Sequence, residues 1–87
     1  MSNFELWIKD CEEKGTIVMR LEGHGDTALY KVTQQIEVRN NYYYTTPLYI
    51  GWVRGRMVCF YGDYRSAYRC WTNSIRYEEL REQEREQ

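Results

Sequence analysis

The sequence predicts an α+β domain: an N-terminal helix packed on a bent antiparallel sheet of about five strands, then a short C-terminal helix or tail. Three observations carry this expectation. Apolar residues recur at helical spacing at the start of the chain, the period falls to two from Thr16 onward, and glycine, asparagine or aspartate punctuates the alternating runs. With 87 residues the chain can bury one core, so a single globular domain is expected over 1–76 and a charged helical tail over 77–87.

Ser2 followed three residues later by Glu5 is a capping box, and Phe4, Trp7, Ile8 and Cys11 then form an apolar stripe that Gly15 ends. This predicts a helix over 3–14 with Trp7 as its anchor and Glu5, Lys9, Asp10, Glu12 and Glu13 in water. Ile17, Met19 and Leu21 alternate with polar neighbours, which reads as a half-buried strand with those three on the core side. Gly23-His24-Gly25-Asp26 forms a turn. Ala28, Tyr30, Val32, Ile36 and Val38 continue the alternation, with Leu29 and Gln34 out of pattern. Asn40-Asn41 suits a tight turn, Tyr42 to Thr46 resumes β-favouring residues, and Pro47 bends or splits that strand. Leu48 to Val53 and Arg56 to Tyr61 flank Arg54-Gly55, a two-residue hairpin signal. Both faces of this hairpin are apolar, which requires cover on two sides, by closure into a small barrel or by a helix, or else a partner. Ala67 to Thr72 reads as a last strand, with a helical turn near Ser66 as the alternative, and Asn73 or Ser74 as the cap of a final helix.

Motifs for chemistry are sparse. Three cysteines (Cys11, Cys59, Cys70) without close pairing read as reduced, buried thiols in a cytoplasmic protein. No apolar run approaches the roughly 20 residues of a membrane helix, and no signal peptide is expected. His24 is the single histidine, too little for a zinc site or a cysteine dyad, and Gly23/Gly25 and Gly51/Gly55 do not form a phosphate-cradling loop. Neither an enzyme, a metal nor a cofactor is expected. Asp63, among Arg54, Arg56, Arg65 and Arg69, is expected to cap the turn after Gly62 or to organise those arginines.

The most informative segment is the middle third. Ten of the fourteen aromatic residues lie between Tyr42 and Trp71, and from Val38 to Arg76 six arginines stand against one acid, for a local charge of +5. Residues 1–37 and 77–87 each carry −3, so the net charge of −1 conceals an acidic, basic, acidic arrangement. Tyr42, Tyr44, Trp52, Phe60 and Trp71 are the candidates for the core. Nine tyrosines exceed what so small an interior holds, and adjacent Tyr42, Tyr43 and Tyr44 cannot all face inward on a strand. Tyr43, Tyr49, Arg54, Arg56, Tyr64, Arg65, Tyr68 and Arg69 are therefore the expected partner-binding residues, of types that dominate protein interfaces. The alternative is a single-stranded nucleic-acid platform, with rings stacking on bases and arginines on phosphates. The isoelectric point of about 5.8 and the two acidic segments favour a protein partner, self-association included.

In plan, a capped helix followed by short strands resembles Sm-like and SH3-like barrels, without their motifs. In character, this compact chain with a dense aromatic and arginine surface and no enzyme motif resembles small phage-encoded inhibitors of bacterial defence, anti-CRISPR proteins among them. That resemblance implies a stoichiometric inhibitor in the host cytosol that covers a functional surface on a nuclease or guide complex.

Overall fold

Capping decides where the first helix begins. In the computed structural model, which describes residues 2–86, α1 spans Asn3–Glu13, and Glu5 donates its backbone N–H to Ser2 Oγ at 3.2 Å. Lys14 closes the helix and Gly15, at φ +70°, takes the left-handed exit. Five strands follow: β1 (Thr16–His24), β2 (Thr27–Val38), β3 (Asn41–Tyr44), β4 (Leu48–Val53) and β5 (Arg56–Tyr61). A long helix, α2 (Tyr64–Glu86), ends the described chain. Gln87 of the expected tail lies outside the described residues.

All pairings are antiparallel, in the order β1-β2-β4-β5, with β3 added to the far end of β2. β3 and β4 follow each other along one edge of β2, from Gln35↔Tyr44 to Val32↔Leu48, with the extra residue absorbed around Pro47. β1 and β5 are the edges of an open sheet, so the small barrel does not form. The two-residue turns carry the positive φ that their sharpness needs, at Arg39 (52°) and Asn40 (67°), and at Arg54 (50°) and Gly55 (78°).

Each face of the sheet carries one helix, and the two together cover β4 on both sides while Met57, Phe60 and Tyr61 of β5 stay exposed. On one face Phe4 and Trp7 of α1 meet Tyr30 and Trp52, with ring centroids 5.3–5.8 Å apart. Such pairs add about 0.5–1.5 kcal/mol each beyond the area they bury. Trp52 Nε1 is buried there without an acceptor among the described residues. On the other face Ala67 and Trp71 of α2 meet Leu29, Val53 and Cys59. Leu29, which breaks the alternation of β2, is fully buried because it serves this second layer.

Several expectations are corrected. Ala67 to Thr72 is helix rather than strand, because Ala67, Trp71 and Ile75 fall four residues apart and share one side against the sheet. Asn73 and Ser74 lie inside α2 and cap nothing; the cap is Asp63, whose Oδ2 accepts the Ser66 N–H at 2.9 Å. The C-terminal helix is not a short tail beginning after residue 76 but an element of 23 residues. Ile17 and Met19 are 43% and 54% exposed, since β1 is an edge strand whose packed side is that of Val18. Of the five rings expected in the core only Trp52 and Trp71 are buried. Tyr42 and Tyr44 sit on the two-stranded ribbon formed by β3 and the end of β2, and Phe60 on the edge strand, at 60–64% exposure.

Candidate partner-binding groove

The site is positioned by how α2 sits on the sheet. Gly51 leaves bare backbone in β4, and a Cβ there would lie 3.1 Å from Trp71 Cδ1 and 3.1 Å from Cys59 Cβ. The indole lies in that gap, and Trp71 Nε1 donates to the Trp52 carbonyl at 3.1 Å, a buried bond that fixes helix to strand. At its far end α2 is tied to the β4–β5 hairpin by the ion pairs Arg54–Glu82 and Arg56–Glu78, the latter at 3.8 Å.

Between the outer edge of β5 and one flank of α2 runs a groove of about 790 Å³. Its cations are Arg56 from the strand and Arg65, Arg69 and Arg81 from the helix. Glu78 is the acid on its lining, and it is engaged with Arg56. Among the described residues neither Arg65 nor Arg69 takes part in an ion pair. Tyr61 and Tyr77 add two rings, and Arg81 lies 6.0 Å from the centroid of Tyr77, a cation–π distance. Four charged guanidiniums against one paired carboxylate give the lining of the groove a net positive charge.

The floor is sulfur and hydroxyl. Cys70 donates its thiol to the Val58 carbonyl at 3.6 Å, and Ser74 donates to the Cys70 carbonyl at 2.9 Å. Cys59 lies buried behind them; burial first, then the neighbouring Cys70 thiol, push its pKa up to about 12, so it stays protonated and inert. The Tyr61 hydroxyl is also raised, chiefly by its hydrogen bond with Cys70. Cys11, buried under α1, is raised by desolvation. His24, at the end of β1, accepts from the Arg20 guanidinium at 3.1 Å through Nδ1. Among the described residues no three His, Cys, Asp or Glu side chains converge on a point where a metal could sit, and no helix is long and apolar enough to cross a membrane.

The eight residues singled out from the sequence divide into three groups. Arg56, Arg65 and Arg69 meet in the groove. Tyr49, Tyr64 and Tyr68 form a ladder of rings with centroids 5.8 Å apart, ending on Trp71, on the opposite flank of α2. Arg54 is held at the hairpin tip by Glu82, and Tyr43 lies on the β2–β3 ribbon, where β3 pairs with β2 and not with β5. Tyr61, Tyr77 and Arg81 are groove residues that the sequence reading omits. Their signal is present, since Arg65, Arg69, Asn73, Tyr77 and Arg81 recur every four residues and line one flank once the helix is continuous.

No protein-family model, curated protein or solved structure matches this chain.

Proposed function

We propose that the protein is a non-enzymatic binding module, a cytosolic stoichiometric inhibitor that uses the β5–α2 groove to hold an acidic surface of a partner protein. The observation that carries this reading is the groove itself: Arg65 and Arg69, which form no ion pair among the described residues, stand with Arg56, Arg81 and two tyrosines beside the outer edge of β5. Arginine and tyrosine give binding energy at low entropic cost, and arginine grips carboxylates in pairs of hydrogen bonds. A nuclease or guide complex of the kind blocked by phage-encoded inhibitors is the partner class that the resemblance in character suggests.

Tyr61 and Tyr77 beside the same arginines also suit stacked bases, which supports the second reading, a single-stranded nucleic-acid platform. Affinity capture with wild type and with the doubly reversed R65E/R69E variant separates the two. Both substitutions are on exposed positions, so the variant should melt like wild type. The expected result is a discrete partner protein held in fixed ratio, resistant to nuclease and lost in the variant. Capture that disappears on nuclease treatment, with affinity falling steeply with salt, would replace this reading by the nucleic-acid one.

A further inference from the structure

The groove is bounded on one side by the outer edge of β5, which no strand pairs among the described residues. Natural sheets blunt their edges with charge, lysine, proline or bulges. β1, the other edge, carries Arg20, Glu22 and His24. In β5 the run after Arg56 is Met57-Val58-Cys59-Phe60-Tyr61, without charge or proline. Its one such device is a bulge at Val58, between the pairs Cys59↔Gly51 and Met57↔Trp52, which leaves Cys59-Phe60-Tyr61 in regular register for a further strand.

The two sides of this edge differ in chemistry. Cys59 pairs with Gly51 and Tyr61 with Tyr49, which places both on the side of the sheet that α2 covers. A strand laid beside them would find Arg65, Arg69 and Arg81 above its α2 side. Met57 pairs with Trp52 and Phe60 with Ile50, on the side that carries α1. They are 46% and 60% exposed, and Met57 also reaches the groove rim. Successive residues of a strand point to opposite faces, so a ligand strand here meets cations at every second residue and bare apolar surface at the residues between.

The lengths agree as well. Six residues of β5 extend about 20 Å at 3.3–3.4 Å each, and the helix from Arg65 to Arg81 runs about 24 Å at 1.5 Å per residue. Both sides of the groove thus fit one extended segment of about six residues.

We infer that the ligand of this groove is an extended peptide segment of alternating acidic and apolar residues, which joins the sheet as a strand beside β5 with its acids towards α2 and its apolar side chains over Met57 and Phe60. The inference rests on the protein-binding reading above and specifies the chemistry of its partner. Main-chain hydrogen bonds to the edge supply affinity, and the alternation supplies selectivity.

The test uses fluorescence anisotropy of the whole protein with four labelled probes: an alternating (Glu-Val)₄ peptide, its block isomer Glu₄Val₄, the alternating peptide N-methylated at every second residue, and an oligothymidine of eight nucleotides. The alternating peptide should bind, should bind at least about tenfold more tightly than the block isomer of equal charge, and should lose about tenfold or more on N-methylation. R65E/R69E should abolish binding. Equal affinity for the block isomer or the N-methylated peptide would overturn strand addition. No binding of any peptide, with partner capture still dependent on Arg65 and Arg69, would overturn this inference while leaving the protein-binding reading intact. Tighter, steeply salt-dependent binding of oligothymidine would remove both.

Discussion

Replacing Gly51 with alanine tests whether the contact that places α2 is as tight as the structure makes it. The new methyl would stand 3.1 Å from Cys59 Cβ, 3.1 Å from Trp71 Cδ1 and 3.3 Å from Cys59 Sγ. Cys59 is fixed by the β4–β5 ladder, so the indole must give by a few tenths of an ångström, against its 3.1 Å bond to the Trp52 carbonyl. Overpacking of this kind costs about 1–3 kcal/mol, whereas replacing glycine in a strand returns about 0.5–1 kcal/mol of backbone entropy. The net expectation is a loss of about 1 kcal/mol, or a fall of about 4–8 °C in Tm for a domain of this size. Thermal and urea denaturation of G51A, W71F and the double variant close a thermodynamic cycle. The smaller ring of W71F relieves the clash, so the cost of G51A should drop below about 0.5 kcal/mol in that background. A G51A protein as stable as wild type, or a cycle without coupling, would refute the account of how the helix is seated.

Two further outcomes follow from the titrating groups. The Asp63 carboxyl lies below its ordinary value, held down first by the Ser66 backbone N–H and then by the Ser66 hydroxyl. A carboxylate with a depressed folded pKa stabilises above its unfolded value and loses that contribution as pH falls through the folded one. An Asp63→Ala variant should therefore melt below wild type at pH 7, and the gap should narrow below about pH 4; circular dichroism melts across that range would show a constant gap if the cap did not depend on ionisation. With Cys11 and Cys59 buried and their thiols raised, and Cys70 on the groove floor, a chromogenic disulfide reagent at pH 8 should titrate one of the three thiols in the native protein and all three after denaturation. Protection of that one thiol in the native protein by the alternating peptide, and fast labelling lost in a Cys70→Ser variant, are the expected readouts; fast reaction at Cys59 would contradict its burial.

Much of the fold is legible where local chemistry and tertiary packing agree. Ser2 and Glu5 announce α1, and Arg54-Gly55 announces the β4–β5 hairpin, because each is a local device that the folded chain uses directly. α2 is obscured because Tyr68, Cys70 and Trp71 favour strands, and a six-residue window is too short to separate a period of 2 from 3.6. The longer series Ala67, Trp71 and Ile75 resolves it, with Asp63 as the start signal. Leu29 looks like a fault in the alternation only while one face of β2 is assumed to be wet. At the site, the arginines are legible from charge, but their grouping is not. Which of them meet depends on the flank of α2 they occupy, and a strand read over 67–72 separates Tyr77 and Arg81 from Arg65 and Arg69.

The order in which the sheet is wired bears on how fast it can form. β1 pairs with β2, β2 with β3 and β4 with β5, each across a short turn, and β2 reaches β4 over the β3 ribbon alone. α2 follows β5 directly and docks on β4 and β5. Closing such loops costs little chain entropy, so this half of the molecule can assemble by successive local steps. The longest loops are closed by both helices, where Phe4 and Trp7 of α1 meet Tyr30 and Trp52 and where Trp71 of α2 reaches back to Leu29 of β2. Slow folding steps are therefore expected where the two helices dock across the sheet rather than in the hairpins, and stopped-flow refolding of Trp7→Phe and Trp71→Phe variants would locate them.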